Sequence, residues 1–127
     1  MRGRILMVVL FSFAASSVHA QDPVKVDPQH YSLVTQNKQV RVLRVTYGPH
    51  EKSIMHWHPN LVAVFLTDGN FKFTMANGKA QERSAKAGDA LYIPSEKHLP
   101  ENLGDQEAKL ILVELNQPRR MAAMKKK

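Results

Sequence analysis

The stretch Leu61-Val62-Ala63-Val64-Phe65-Leu66-Thr67-Asp68-Gly69-Asn70-Phe71-Lys72-Phe73-Thr74-Met75-Ala76-Asn77-Gly78 decides the fold class. Two β-rich runs, Leu61 to Thr67 and Phe71 to Ala76, are cut by Asp68-Gly69 and followed by Asn77-Gly78. Both dipeptides favour the tight primed turns that join antiparallel strands. Phe71, Phe73 and Met75 share one face while Asn70, Lys72 and Thr74 share the other, the two-residue period of a half-buried strand. Leu61 to Leu66 is apolar on both faces, as expected where one face lines a core and the other is also covered.

Working outward, similar runs occupy Tyr31 to Thr35, Val40 to Tyr47, Ser53 to His58, Ala90 to Pro94 and Lys109 to Leu115. Their spacing of about 8–12 residues is that of an all-β sandwich or barrel. Val40, Val42 and Arg44 alternate against Arg41, Leu43, Val45 and Tyr47, and Gly88-Asp89 opens the run that ends at Pro94. Gln81 to Lys86 fits an exposed strand better than a turn of helix, so helices have little room. Length and periodicity together predict one all-β domain.

The chain has 127 residues, 18 Lys+Arg against 11 Asp+Glu, and a formal charge of +7. That charge sits at the ends. Residues 1–20 run from Met1-Arg2-Gly3-Arg4 through the apolar Ile5 to Ala15 and close on Val18-His19-Ala20, the order of a secretory signal peptide cleaved after Ala20. The expectation is an exported protein, periplasmic or secreted, without stable membrane insertion after cleavage; an uncleaved N-terminal anchor is the alternative. Residues 118–127 carry Arg119, Arg120 and Lys125 to Lys127, and read as a basic, disordered tail or a contact for anionic surfaces. From Gln21 to Pro118 acids and bases balance, which leaves no basic stripe for nucleic acid. With no cysteine, disulfide scaffolds, thiolate nucleophiles and zinc fingers are excluded, so a metal site must use His, Asp or Glu.

Of the six histidines, His19 leaves with the leader and His30 sits in a polar lead-in with no partner signal. His56-Trp57-His58 lies in a β-type run, so both imidazoles share one face, roughly 7 Å apart at Cα, and Trp57 faces away. Neutral imidazoles so placed suit one transition-metal ion; two ordinary surface or core histidines are the bland reading. Glu51, Glu101 and His50 are loop residues within plausible reach, each expected to be solvated, while Phe65, Phe71, Phe73 and Met75 are expected in the core.

Gly48, His56-Trp57-His58 and Gly69, followed by Gly88-Asp89-Ala90-Leu91-Tyr92-Ile93-Pro94-Ser95-Glu96-Lys97-His98-Leu99-Pro100-Glu101-Asn102, resemble the two motifs of the cupin family across most of residues 40–115. The match holds at His56, His58, Gly69, Gly88, Pro94, His98 and Asn102. It departs at Gly48, two residues too far from His56, at Glu96, where the family has glycine, and at His98, one residue early. It departs most at Val62, which stands where the family has its acidic ligand.

The resemblance implies a single-domain cupin-type β-barrel, the double-stranded β-helix or jelly roll, over residues 40–117, preceded by a lead-in with one strand over 21–39. It implies at most a three-histidine site of His56, His58 and His98 holding one divalent transition metal (Fe, Zn, Mn, Ni or Cu). An exported small-molecule metalloenzyme of dioxygenase-like type is one expectation. A non-catalytic binding module and a degenerate cupin without metal are the others. The partners expected are a small-molecule ligand or substrate and a second copy in a homodimer.

Overall fold

The computed structural model of the chain describes residues 21–116; the signal peptide and the basic tail expected from the sequence lie outside them. The lead-in is more than a strand. Asp22 accepts from Val24 N and Pro23 occupies the first turn, so Pro23–Val26 closes one short helix, α1. Proline is tolerated there because its missing N–H has no partner in a first turn anyway.

Among the described residues nine strands follow: β1 (Tyr31–Gln36), β2 (Val40–Tyr47), β3 (His56–His58), β4 (Leu61–Phe65), β5 (Gly69–Met75), β6 (Ala80–Ala85), β7 (Ala90–Ile93), β8 (Glu96–Asn102) and β9 (Ala108–Leu115). They form two antiparallel sheets, of order β1-β2-β9-β4-β7 and β3-β8-β5-β6. This is the all-β class that the periodicity predicts, in the barrel form that the cupin resemblance implies.

Alternation sorts the side chains as expected. Leu43, Val45 and Tyr47 of β2, Leu61, Ala63 and Phe65 of β4 and Leu110 and Leu112 of β9 point between the sheets, with Tyr31 and Phe71 added from β1 and β5. Burying such side chains contributes about 1.5–3 kcal/mol each. Phe65 and Phe71 are core, Phe73 packs against it, and Met75 is half-buried.

Three expectations need correction. Asp68-Gly69 does not turn a hairpin, because β4 and β5 belong to different sheets; the chain crosses the barrel there, and only Asn77-Gly78, with Gly78 at φ 84, joins paired neighbours, β5 and β6. The outward side of β4 is not fully covered by the described residues, since Val62 and Val64 are half-buried and Leu66 is exposed. Ser53 to His58 is strand only from His56, while β8, which the run pattern omits, spans residues rich in charge and containing Pro100. Pro100 fits because it pairs with Phe73 in register and its carbonyl accepts from Ser53 N.

Candidate metal centre

Register brings the three histidines together. β3 pairs with β8 so that His56 faces His98, Trp57 faces Lys97 and His58 faces Glu96. Two-residue alternation then turns His56 and His58 inward from one strand and Glu96 and His98 inward from the other. All three imidazoles are buried, and their ligand atoms lie within 4.8 Å of one another. Trp57 faces away, its Nε1 donating to Ser95 Oγ at 3.0 Å. The early position of His98 in its motif is thus no displacement, because strand pairing places it directly across from His56.

Every Nδ1 is taken by an acceptor. His56 Nδ1 donates to the Ile54 carbonyl at 2.7 Å, His58 Nδ1 to Glu114 Oε1 at 2.7 Å, and His98 Nδ1 to Glu96 Oε1 at 2.7 Å. Carbonyl and carboxylate oxygens accept only, so each neutral ring carries its proton on Nδ1 and presents a lone pair at Nε2. His56 Nε2 and His58 Nε2 are 3.0 Å apart, and His98 Nε2 is buried without a hydrogen-bond partner. Lone pairs converging in a buried site repel one another unless a cation or proton lies among them.

The electrostatics keep the His56 and His98 lone pairs free. Burial, reinforced by the charges that His58 and His98 would carry, pushes the His56 pKa down to about 3. Burial also lowers His98, against the opposing effect of its hydrogen bond to the Glu96 carboxylate. The carboxylates go the other way. Burial alone would raise Glu96, but hydrogen bonds from His98 and Arg83 outweigh it and bring the pKa to about 2. Glu114 is likewise held below its usual range by His58 and Arg41 despite burial. Ionised acceptors beside neutral rings are the usual outer support of a metal-binding histidine.

Beside His58 and His98 lies a cavity of about 50 Å³, walled by Tyr31, Ala63, Phe71 and Leu112 among others. Arg83 donates to both oxygens of Glu96 at 2.9 and 3.1 Å and sits 4.7 Å above the Phe73 ring.

Val62 faces the outer side of its sheet, opposite Tyr92 and Val113, so no residue at that position would reach the histidines; the inward neighbour that lines the cavity is Ala63. His30 was expected to lack partners and instead is buried, with Nδ1 2.8 Å from Asp27 and Nε2 2.7 Å from Glu51. Glu51 also accepts from Gly48 N, and Glu101 pairs with Lys72 at 3.8 Å, so neither approaches the three histidines as a ligand. His50 is exposed on Asp105, and Asn102 is buried as a brace, donating to the carbonyls of Gly48 and Gln106. Glu96 and Glu114 went unselected by the sequence. The available signal for Glu96 was its two-residue spacing from His98; for Glu114, it was a lone acid in the apolar run Lys109 to Leu115.

The sequence matches the Cupin domain family over residues 43–114. Among solved structures, a cupin domain from Bordetella pertussis Tohama I superposes with a TM-score of 0.63 at 20% identity, covering 68% of this chain and 92% of that one. A double-stranded β-helix protein from Klebsiella pneumoniae gives 0.55 at 20% identity, covering 83% and 91%. A cupin with the same fold from Methanocaldococcus jannaschii gives 0.53 at 15% identity, covering 89% and 93%. No curated protein matches the sequence. A matched family domain spanning both histidine-bearing strands, closed into the two-sheet barrel seen here, makes this chain a member of the cupin family.

Proposed function

We propose that this cupin binds one divalent transition-metal ion through His56, His58 and His98 and acts on a small molecule. One observation carries the reading: three buried imidazoles whose Nδ1 atoms are all committed to acceptors point their Nε2 lone pairs at a common centre. That donor set fits iron, zinc, manganese, nickel or copper. When bound, such an ion supplies Lewis acidity undiminished by an anionic ligand.

The chain's own residues do the remainder. Glu96 and Glu114 hold two rings in one tautomer and orientation, and apolar side chains make up most of the wall of the adjoining cavity. The cavity of about 50 Å³ is well below the roughly 150 Å³ that accommodates benzene. It admits a small molecule or the small end of a larger one. We take the dioxygenase-like role as the enzyme form of this reading and small-ligand recognition as its non-catalytic form. Export through the leader at residues 1–20, with a homodimer as the working unit, belongs to the same proposal.

The decisive experiment is metal analysis of the purified protein beside a His56→Ala, His58→Ala double variant. About one ion per chain in the parent and far less in the variant supports the site; equal trace metal in both overturns it. Oxygen uptake with small thiols and diketones then separates enzyme from binding module. N-terminal sequencing of the protein from the extracytoplasmic fraction tests cleavage after Ala20, and sedimentation tests the dimer.

A further inference from the structure

The residues ahead of the matched domain reach the histidines by two polar routes. Asp22, while capping α1, accepts from both terminal nitrogens of Arg41 at 2.6 and 2.8 Å. Arg41 Nε donates to Glu114 Oε2 at 2.7 Å, and the other oxygen of Glu114 accepts from His58 Nδ1. At the far end of α1, Asp27 accepts from Ser53 Oγ, which itself lies 3.4 Å from His56 Nδ1. His30 closes this second route between Asp27 and Glu51, with its ring stacked on Tyr47 at 4.4 Å.

Asp27, His30, Ser53 and Glu114 are all buried. Networks of buried charge are poor stabilisers, since apolar replacements of similar volume are often neutral or better. Docking the segment for stability alone would need only apolar contacts such as those of Pro23 and Val24. What the polar routes add is direction. They fix the plane of the Glu114 carboxylate and the place of the Ser53 hydroxyl, and through them the two rings of β3.

We propose that Asp22 to His30 form a positioning clamp that sets the imidazoles of His56 and His58 from outside the matched domain, so that the metal affinity of the site depends on this segment. The clamp rests on the metal-site reading above and names the residues that tune it. Coupling is reciprocal: if the segment tightens the metal site, the metal tightens the segment.

The test uses Co(II) with the full chain. Asp22→Asn retains an oxygen acceptor for Val24 N but removes the charge that grips Arg41. Its Co(II) affinity is expected to fall about 10-fold, the lower end for outer-shell partners, with a shift of the visible absorption bands that report ligand orientation. Lys38→Gln, exposed in the β1–β2 turn and on neither route, binds as the parent does. In the unmodified chain, saturation with Co(II) is expected to slow exchange of the Lys25, Val26 and Asp27 amides, which bond within α1, and to leave the Gly78 amide of the β5–β6 turn unchanged. Where circular dichroism shows Asp22→Asn folded, unchanged affinity and bands overturn the clamp. Where it is unfolded, exchange in the parent decides, and amides indifferent to Co(II) overturn the clamp. A parent that takes up no Co(II) overturns the metal-site reading and the clamp with it.

Discussion

Glu114 serves two partners at once, holding His58 through one oxygen and Arg41 through the other. Glu114→Gln keeps the volume but weakens both bonds, and is expected to reduce metal affinity about 10–100-fold by calorimetric titration. The acid that the cupin pattern places among the ligands is absent here, and the acids near the site stand one layer out, on the Nδ1 side of the rings. Val62→Glu should therefore leave metal affinity within about twofold, because its side chain leaves the outer face of the sheet. Ala63→Glu turns a carboxylate inward beside the cavity and is expected to destabilise the metal-free protein sharply by urea denaturation. His56 and His58 were legible because strand alternation is local. The roles of Glu96 and Glu114 were not, because a residue that orients a ligand is defined by the strand beside it.

At the scale of elements, turn chemistry read well where the turn was local and failed where it was not. Asn77-Gly78 joins β5 to β6 with Gly78 in the left-handed region at φ 84 and no atom within 4 Å of a prospective Cβ. Gly78→Ala should cost about 1–2 kcal/mol from backbone conformation alone, seen as a lowered urea midpoint. Asp68-Gly69 carries the same kind of dipeptide, yet there the chain changes sheets, since β4 already has β7 and β9 on its two sides. β8 gives little strand signal because Glu96-Lys97-His98-Leu99-Pro100-Glu101-Asn102 has few apolar residues. Its inward positions are filled instead by Glu96, His98, Pro100 and Asn102, each polar group matched by a partner except His98 Nε2.

Across the whole molecule, one aromatic group joins core and site. Tyr31 meets Tyr47 hydroxyl to hydroxyl at 2.8 Å, and its ring lies against His56 and His58. Phe71 packs edge-on to Tyr47 at 5.5 Å and beside Phe65. Phe71→Ala is expected to cost about 3–5 kcal/mol by chemical denaturation. Burial raises the pKa of Tyr31 and of Tyr47 above the usual phenol value. The unfolded chain ionises these phenols near pH 10 while the folded one holds their protons. Their contribution to stability is therefore complete below about pH 10 and falls as pH rises past it. In a Tyr92→Phe protein, phenolate absorbance should appear together with unfolding; absorbance preceding unfolding would contradict the burial.

By itself the sequence determined the all-β class, most strands and the shared face of His56 and His58. Each of these is written in spacing along one strand or in a turn dipeptide. Only the tertiary structure decided which strands pair, and so placed His98 opposite His56, turned the irregular Glu96 into its support, brought Glu114 to His58 and tied the N-terminal segment to the site. Those relations join residues up to 92 positions apart, Asp22 to Glu114 through Arg41. No local periodicity encodes them, because they come into being only when the two sheets close on each other.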